Sequence, residues 1–165
     1  MQPESESRET ISRFEKLLVT LANGDVDFCV VGGLAVILNG YVRLTEDVDI
    51  LVSESPVNIG RLLDVLRGWG EGWARELMVE EFVGQEGSIR VQEEFDLDIF
   101  TRMRGKSLTD FRPRLRIFET GGVRIAYLSP SDLIFLKEGS FRDKDKLDTL
   151  AMREILEREK HLTEL

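Results

Sequence analysis

The feature that most constrains the fold is the segment of residues 30–52, in which a glycine pair separates two apolar runs. The segment reads VVGGLAVILNGYVRLTEDVDILV. Its two ends have the apolar, β-branched composition of buried strands. In the second end, Asp47 and Asp49 alternate with Val48 and Ile50. Side chains alternate faces along a strand, so both carboxylates project from one face and the apolar residues fill the core behind them.

Asp47 and Asp49 have the spacing of a metal-binding pair. Residues two apart on a strand lie about 6.6 Å from each other. Two carboxylates so placed can hold a pair of divalent cations, which lie about 3.5–4 Å apart in two-metal sites. Mg²⁺ typically takes one or two protein carboxylates together with waters and substrate phosphates. The alternative interpretation, which usually applies to an isolated Asp-x-Asp, is a pair of aspartates at a solvated strand end.

The glycine pair, Gly32-Gly33, falls between the first strand and a short predicted helix, GLAVIL. Glycine lets a backbone approach a ligand closely, and the free N–H groups at a helix start suit phosphate. A tight turn without a ligand is the alternative. Neither G-x-G-x-x-G nor G-x-x-x-x-G-K is present, which excludes the dinucleotide-binding and P-loop motifs. Arg43 and Thr45 lie in the loop just before the aspartates.

A second acidic strand is predicted in EFDLDIF, residues 94–100. Glu94, Asp96 and Asp98 share one face of this strand, and the apolar residues share the other. Two acidic strands placed side by side repel each other unless a cation lies between them. If the two strands are neighbours, the second one supplies a third carboxylate and a metal is favoured.

The remaining patterns predict an α+β or mixed-sheet α/β domain, since helices and strands mix without strict alternation. No linker divides the 165 residues, so a single domain over 1–165 is predicted. Strands are predicted at 27–32, 47–52, 88–91 and 94–100, with a hairpin around Gly121-Gly122; helices are predicted at 5–22, at 33–38, at 56–66 with Ser55 as N-cap, at 72–79, from Pro130 with Ser129 as N-cap, and at the C-terminus.

Two of these helices have a predicted buried stripe at helical spacing. In the first helix the stripe consists of Ile11, Phe14, Leu17, Leu18 and Leu21. In the last helix it consists of Leu147, Leu150, Ala151 and Ile155.

Composition excludes several classes of protein. The net charge of −9 makes the chain as a whole a poor partner for nucleic acid. Cys29 is the only cysteine and is best interpreted as a small buried hydrophobe, without an intramolecular disulfide or a cysteine zinc site. His161 is the only histidine, so a His-dependent nucleophilic triad lacks support. The N-terminus lacks a signal-peptide core, and the longest apolar run, residues 28–38, is too short for a bilayer. We therefore expect a soluble, cytoplasmic protein without a membrane partner.

Residues 101–116 form a basic island in this acidic chain. One interpretation is that the island attracts an anionic acceptor, such as an RNA end, or a triphosphate. The other is that its arginines pair with the surplus Asp and Glu. Its six basic residues, against Asp110, are Arg102, Arg104, Lys106, Arg112, Arg114 and Arg116.

The segment around the aspartates resembles a known signature. Val31-Gly32-Gly33, then 13 residues, then Asp47-Val48-Asp49 is similar to the signature of the nucleotidyltransferase superfamily, whose fold is shared with the palm of DNA polymerase beta. GYVRLTEDVDILV is especially similar to small bacterial AbiEii-like and minimal nucleotidyltransferases. The resemblance implies a mixed β-sheet flanked by helices, with the core motif in 27–100 and C-terminal helices in about 129–160.

The resemblance also implies a site. Gly32 and Gly33 would contact the phosphates of a nucleoside triphosphate, with Arg43 and Thr45 nearby. Asp47 and Asp49 would bind Mg²⁺ or Mn²⁺. The third carboxylate would be Asp98, because LDIFT is similar to the end of this strand in relatives, with Asp96 as the second candidate.

KEGSFRDKDKLD, residues 137–148, resembles the lysine and R-x-K-D-x-x-D segment of AbiEii-like proteins. Lys137 would reach the triphosphate, and Lys144 and Asp145 would lie near the site. A solvated helix start explains Lys144 and Lys146 equally well.

The implied reaction is transfer of a nucleoside monophosphate. An acceptor oxygen attacks the α-phosphorus and pyrophosphate leaves, with RNA, a protein or a small molecule as the acceptor. Relatives of this type occur in toxin–antitoxin pairs, which implies a possible partner protein. The alternatives are a non-catalytic module that binds nucleotide or a partner, and a structural metal site. Three converging carboxylates favour the enzyme.

Overall fold

Six strands form one mixed sheet in this computed structural model, which describes residues 3–82 and 86–164, with side chains at residue 12 and from residue 14 onward. The spatial order of the strands is β3-β4-β2-β1-β6-β5. β2 and β4 are parallel, as are β1 and β6, and the other neighbours are antiparallel. The strands are β1 (Phe28–Val31), β2 (Asp47–Val52), β3 (Ser88–Gln92), β4 (Asp96–Phe100), β5 (Arg116–Thr120) and β6 (Val123–Tyr127). The predicted α+β class is confirmed.

Six α-helices accompany the sheet within the described ranges, none of them long and apolar enough to cross a membrane. They are α1 (Pro3–Asn23), α2 (Gly32–Leu38), α3 (Pro56–Arg67), α4 (Leu108–Phe111), α5 (Pro130–Lys137) and α6 (Asp143–Thr163). Short 3-10 helices cover Trp73–Glu76, Val79–Phe82 and Arg112–Arg114.

The single helix predicted over 72–79 is wrong. Two short 3-10 helices occupy this region instead. Gly72 is left-handed, with φ +84°, and Leu77 is extended, with ψ 139°, so the backbone leaves the helical region on both sides of Trp73–Glu76. A helix needs helical dihedrals at every residue, and these two positions prevent its continuation.

The predicted caps and hairpin are confirmed. The Ser55 hydroxyl accepts a hydrogen bond from the Asn58 N–H at 3.2 Å, and the Ser129 hydroxyl plays the same part at the start of α5. A proline follows each cap, where its missing N–H leaves no helical bond unmade. Gly121 and Gly122 turn the β5–β6 hairpin with φ of +56° and +77°, values that other residues rarely adopt.

The stripe predicted for α1 forms part of the core. Phe14, Leu17, Leu18 and Leu21 are buried; the side chain of Ile11 lies outside the described residues. Cys29 is also completely buried, and burial raises the pKa of its thiol to about 12, which fits a small apolar residue.

The stripe predicted for α6 is wrong for Leu147 and Leu150 but right for Ile155, and Ala151 is partly buried against the core. Leu147 and Leu150 are 55% and 56% exposed, whereas Asp148, Met152 and Ile155 are buried. The buried residues follow the i, i+4, i+7 spacing of one helical face, so the helix is turned to bring a carboxylate inward. The partners of Asp148, described below, explain this orientation.

Asn58 ties α3 to the chain ends of β1 and β2. Its side chain is almost fully buried. Its Oδ1 accepts from the Asp27 N–H at 2.7 Å, and its Nδ2 donates to the carbonyl oxygens of Asp27 and Ser53 at 3.0 and 2.9 Å. Three backbone groups of two strand ends therefore depend on one side chain.

We predict that Asn58→Ala lowers the free energy of unfolding by about 2–3 kcal/mol, because buried backbone groups lose their partners. Urea denaturation measures the change. Val57→Ala is the matched control, since Val57 is 67% exposed on the same helix and its truncation should cost less than about 0.5 kcal/mol. Equal effects of the two substitutions would contradict the role of Asn58.

Candidate active site

The two acidic strands are direct neighbours. β2 and β4 pair in parallel, with Asp47 opposite Asp96 and Asp49 opposite Asp98. Residues at equal register in neighbouring strands point to the same face, so the four carboxylates form one cluster. The prediction of a third carboxylate required the two acidic strands to be neighbours, and the structure shows that they are.

The crowding of carboxylates changes the pKa of Asp49. Its pKa rises from 3.8 to about 7, first because of burial, then because of the charge of Asp98 and a side-chain hydrogen bond with it, and then because of Asp47. Lys137 lowers the pKa in part. Without a bound cation, the protonated form of Asp49 therefore persists to a much higher pH than that of an ordinary aspartate.

The glycine pair packs against these groups. Gly32 has φ +62°, and a Cβ added there would lie 2.0 Å from Asp49 Oδ2. A Cβ added at Gly33 would lie 2.5 Å from Arg43 Nη2 and 3.1 Å from Thr45 Oγ1. The absence of side chains at the glycines lets the carboxylate and the guanidinium approach the backbone. The structure thus brings together five of the predicted site residues, namely Gly32, Gly33, Arg43, Thr45 and Asp49.

Arg43 and Lys137 share one carboxylate of α6. Arg43 Nη2 donates to Asp148 Oδ2 at 3.0 Å, and Arg43 Nε lies 2.9 Å from Asp148 Oδ1. Lys137 Nζ lies 3.0 Å from Asp148 Oδ2 and donates to Asp145 Oδ1 at 2.9 Å. Asp148 is fully buried, so this residue of α6 fixes the positions of both positively charged side chains.

In the segment after Lys137, one predicted residue contacts the site and two lysines are exposed to solvent. Asp145 contacts Lys137, whereas Lys144 and Lys146 are exposed at the start of α6. Asp148 closes the R-x-K-D-x-x-D pattern, although no role was predicted for it. Its spacing of three from Asp145 places the two carboxylates on one helical face, and this signal could have found it.

Arg90 is the functional candidate that sequence reasoning missed. It lies on β3 opposite Asp98. Its Nε and Nη2 donate to the two oxygens of Asp98 at 2.8 and 2.9 Å, and its Nη1 donates to Asp96 Oδ2 at 3.2 Å. Its Nη2 is also 3.9 Å from Asp47 Oδ2. A lone arginine in SIRV gives no local hint of this contact, which depends on strand register.

The donor set fits a hard divalent cation. Carboxylate oxygens are the ligands that Mg²⁺ and Mn²⁺ prefer. In the described ranges, no group of three or more His, Cys, Asp or Glu side chains is arranged to hold a metal ion. Asp47 and Asp49 alone supply the one or two carboxylates that Mg²⁺ usually takes, and the raised pKa of Asp49 marks negative charge that a cation would offset.

Asp98 and Asp96 differ in their surroundings. The side chain of Asp98 is 9% exposed and lies beside Asp49, while that of Asp96 is 28% exposed and lies beside Asp47. The choice of Asp98 as the third metal ligand stays a prediction, and its burial beside Asp49 is consistent with that choice.

The basic island is mostly paired within the chain. Arg104 lies over the Phe135 ring, 4.9 Å from its centroid, and donates to the Phe135 carbonyl oxygen. This pattern favours internal pairing over a free anion-binding surface; attraction of an anionic acceptor stays a hypothesis. Four arginines bind carboxylates: Arg102 binds Glu54, Arg112 binds Asp27, Arg114 binds Asp132 and Arg116 binds Glu159.

Comparison with known proteins gives one matching family and several chains of similar fold. A family model described as "Nucleotidyltransferase of unknown function (DUF6036)" matches residues 10–158. Among curated proteins, none matches the chain. The fold is similar to that of the lincosamide antibiotic adenylyltransferase LnuA, solved with lincomycin bound, at 16% identity and a TM-score of 0.56 over 92% of this chain and 97% of that one.

An antigenic nucleotidyltransferase-like protein from Paracoccidioides brasiliensis is also similar in fold, at 18% identity and a TM-score of 0.51 over 90% of this chain and 75% of that one. At these identities the likeness concerns the fold. Together with the family match it confirms the predicted superfamily, while the AbiEii-like subtype stays a prediction.

We predict that Asp148→Asn lowers the free energy of unfolding by about 3 kcal/mol or more, because Arg43 and Lys137 lose their buried counter-charge. Denaturant unfolding measures the loss. Asp143→Asn, on the exposed start of the same helix, is the control and should change stability by less than about 0.5 kcal/mol. A small effect of Asp148→Asn would show that the two cations do not depend on it.

The raised pKa of Asp49 gives a prediction for the metal-free protein. The folded state holds the Asp49 proton more tightly than the unfolded chain, where the pKa is 3.8, so this stabilisation is complete below about pH 4 and is lost as pH rises through about 7. In EDTA, the stability advantage of Asp49→Asn over the wild type should therefore grow between these pH values.

Urea unfolding across this pH range measures that difference. Asp64→Asn is the control, because the side chain of Asp64 is 73% exposed on α3, and its difference from the wild type should vary little with pH. A pH-independent difference for Asp49→Asn would mean that Asp49 titrates as an ordinary carboxyl.

Proposed function

Since this chain belongs to the nucleotidyltransferase family of unknown function described as DUF6036, we propose that it transfers a nucleoside monophosphate from a nucleoside triphosphate to an acceptor oxygen, with Mg²⁺ or Mn²⁺. The observation that carries the proposal is the register of the two parallel strands. It sets Asp47 and Asp49 beside Asp96 and Asp98, on the face where Gly32 adjoins Asp49.

Asp47, Asp49 and Asp98 are the proposed metal ligands. Divalent metal, when bound, offsets the charge of the phosphates and polarises the attacking and leaving oxygens. The strands hold the three carboxylates rigidly, because the residues between them are buried in the core. Asp98 is the proposed group of this cluster that helps to deprotonate the acceptor hydroxyl, as general base or through water bound to the metal.

The proposed phosphate-binding groups are Gly32, Gly33, Arg43, Thr45 and Lys137. Arg43 and Lys137 are held by Asp148, and their side chains are only 12% and 13% exposed. Cations fixed in this way need little reorganisation when a negatively charged substrate arrives. Arg43 packs against Gly33, and this position favours the triphosphate rather than the acceptor as its ligand.

The acceptor is proposed only by class. RNA, a protein and a small molecule are the three classes to test, and the small-molecule class gains weight from the fold that the chain shares with a lincosamide adenylyltransferase. ATP belongs among the nucleotides for the same reason. The reaction needs nucleoside triphosphates, so the proposal retains the cytoplasmic location. A toxin–antitoxin role with a partner protein stays a prediction.

We expect label transfer when the protein is incubated with each of the four α-labelled nucleoside triphosphates, Mg²⁺ or Mn²⁺, and a host extract. Asp47→Asn with Asp49→Asn should reduce the labelled product about 100-fold or more, because groups that stabilise the transition state are removed. Digestion of the product with nuclease or protease then assigns the acceptor to RNA, protein or a small molecule.

Asp64→Asn, an exposed aspartate outside the cluster, is the matched control and should transfer label as the wild type does. Equal labelling by the wild type and the double variant would assign the product to a contaminant. Nucleotide binding that needs metal but gives no label under any condition would instead support a non-catalytic nucleotide-binding module.

A further inference from the structure

Arg90 contacts every carboxylate of the cluster except Asp49. It engages both oxygens of Asp98, one oxygen of Asp96 at 3.2 Å, and approaches Asp47 at 3.9 Å. A bidentate arginine–carboxylate pair is among the strongest hydrogen-bonded contacts of a protein. Without metal, the guanidinium is thus the counter-charge of the cluster.

We propose that Arg90 occupies the cation position of the carboxylate cluster in the metal-free protein, and that divalent metal binds by displacing it. This inference rests on the proposed function, because it concerns the same carboxylates. It adds a positioning residue to the site: Arg90 keeps Asp98 and Asp96 in place before metal arrives and weakens the binding of metal alone.

Charge and distance oppose simultaneous binding of the guanidinium and a divalent ion to Asp98. Mg²⁺ lies about 2.1 Å from its oxygen ligands. Arg90 Nε and Nη2 lie 2.8 and 2.9 Å from the oxygens of Asp98, so an ion bound to the same carboxylate would be a close neighbour of the guanidinium. Two positive groups at that separation repel each other. The divalent ion has the larger charge, and the triphosphate supplies further ligands to it.

The fold leaves Arg90 room to move. β3 is an edge strand of the sheet, and the Arg90 side chain is 48% exposed. A cavity of about 480 Å³ borders it, lined also by Trp73, Leu77, Val91 and Gln92. The side chain can therefore turn away from Asp98 without a change in strand pairing. Asp98 itself is held by its position between β2 and β3.

The experiment measures Mn²⁺ binding to the full chain without nucleotide, by electron paramagnetic resonance of the free ion. Arg90→Gln should lower the dissociation constant about tenfold, because the repulsion between the guanidinium and the ion is removed. Arg90→Lys keeps the charge but loses the bidentate contact, so it should tighten binding less and provides a second variant should Arg90→Gln not fold. Arg67→Gln is the control, because it removes an exposed arginine paired with Asp64 outside the cluster.

Thermal unfolding gives an independent readout. In EDTA, Arg90→Gln should melt below the wild type, and saturating Mn²⁺ should raise its melting temperature by more than it raises that of the wild type. Binding by Arg90→Gln that equals or falls below that of the wild type would overturn the inference. So would tight binding that persists when Asp47→Asn is added, because the ion would then lie elsewhere.

The outcomes separate this inference from the proposed function. Tighter Mn²⁺ binding by Arg90→Gln, with no nucleotide transfer by the wild type, would support the displacement and contradict the enzyme. Transfer by the wild type with unchanged Mn²⁺ binding in Arg90→Gln would support the enzyme and overturn the displacement. Absence of Mn²⁺ binding in both proteins would contradict the metal site and this inference together.

Discussion

The crowding of carboxylates on β2 and β4 is the constraint around which the site is arranged. Parallel pairing sets Asp49 beside Asp98 and Asp47 beside Asp96, and like charges at such distances are unfavourable unless a proton or a cation offsets them. The chain uses both means. The pKa of Asp49 rises to about 7, and Arg90 lies across Asp98. The negative charge of the cluster is therefore offset within the protein itself.

A second set of charges supports the other side of the site. Asp148 is buried at the face of α6 and binds both Arg43 and Lys137. This contact explains why α6 is turned with a carboxylate inward and leaves Leu147 and Leu150 exposed. Two positive side chains, only 12% and 13% exposed and held by one buried carboxylate, thus lie close to the acidic cluster.

Local chemistry made much of the fold predictable. The alternation in residues 47–52 gave the bounds of β2, and Ser55 followed by a proline located the start of α3, because these signals act within one or two turns of the chain. The prediction of a helix over 72–79 failed because local composition did not decide the backbone conformation there. The composition of this region suits a helix, but Gly72 and Leu77 take other dihedrals, so two 3-10 turns form there.

The sequence by itself determined the family, and it predicted the glycine pair and the aspartates of the candidate site, since the spacing from Gly32-Gly33 to Asp47 and Asp49 lies within one continuous stretch. Only the tertiary structure decided which groups offset the charges of the site. The contact of Arg90 with Asp98 depends on the register of two antiparallel strands, and the burial of Asp148 depends on the rotation of a helix against the rest of the chain. Register and rotation follow from packing between distant segments, which local patterns do not encode.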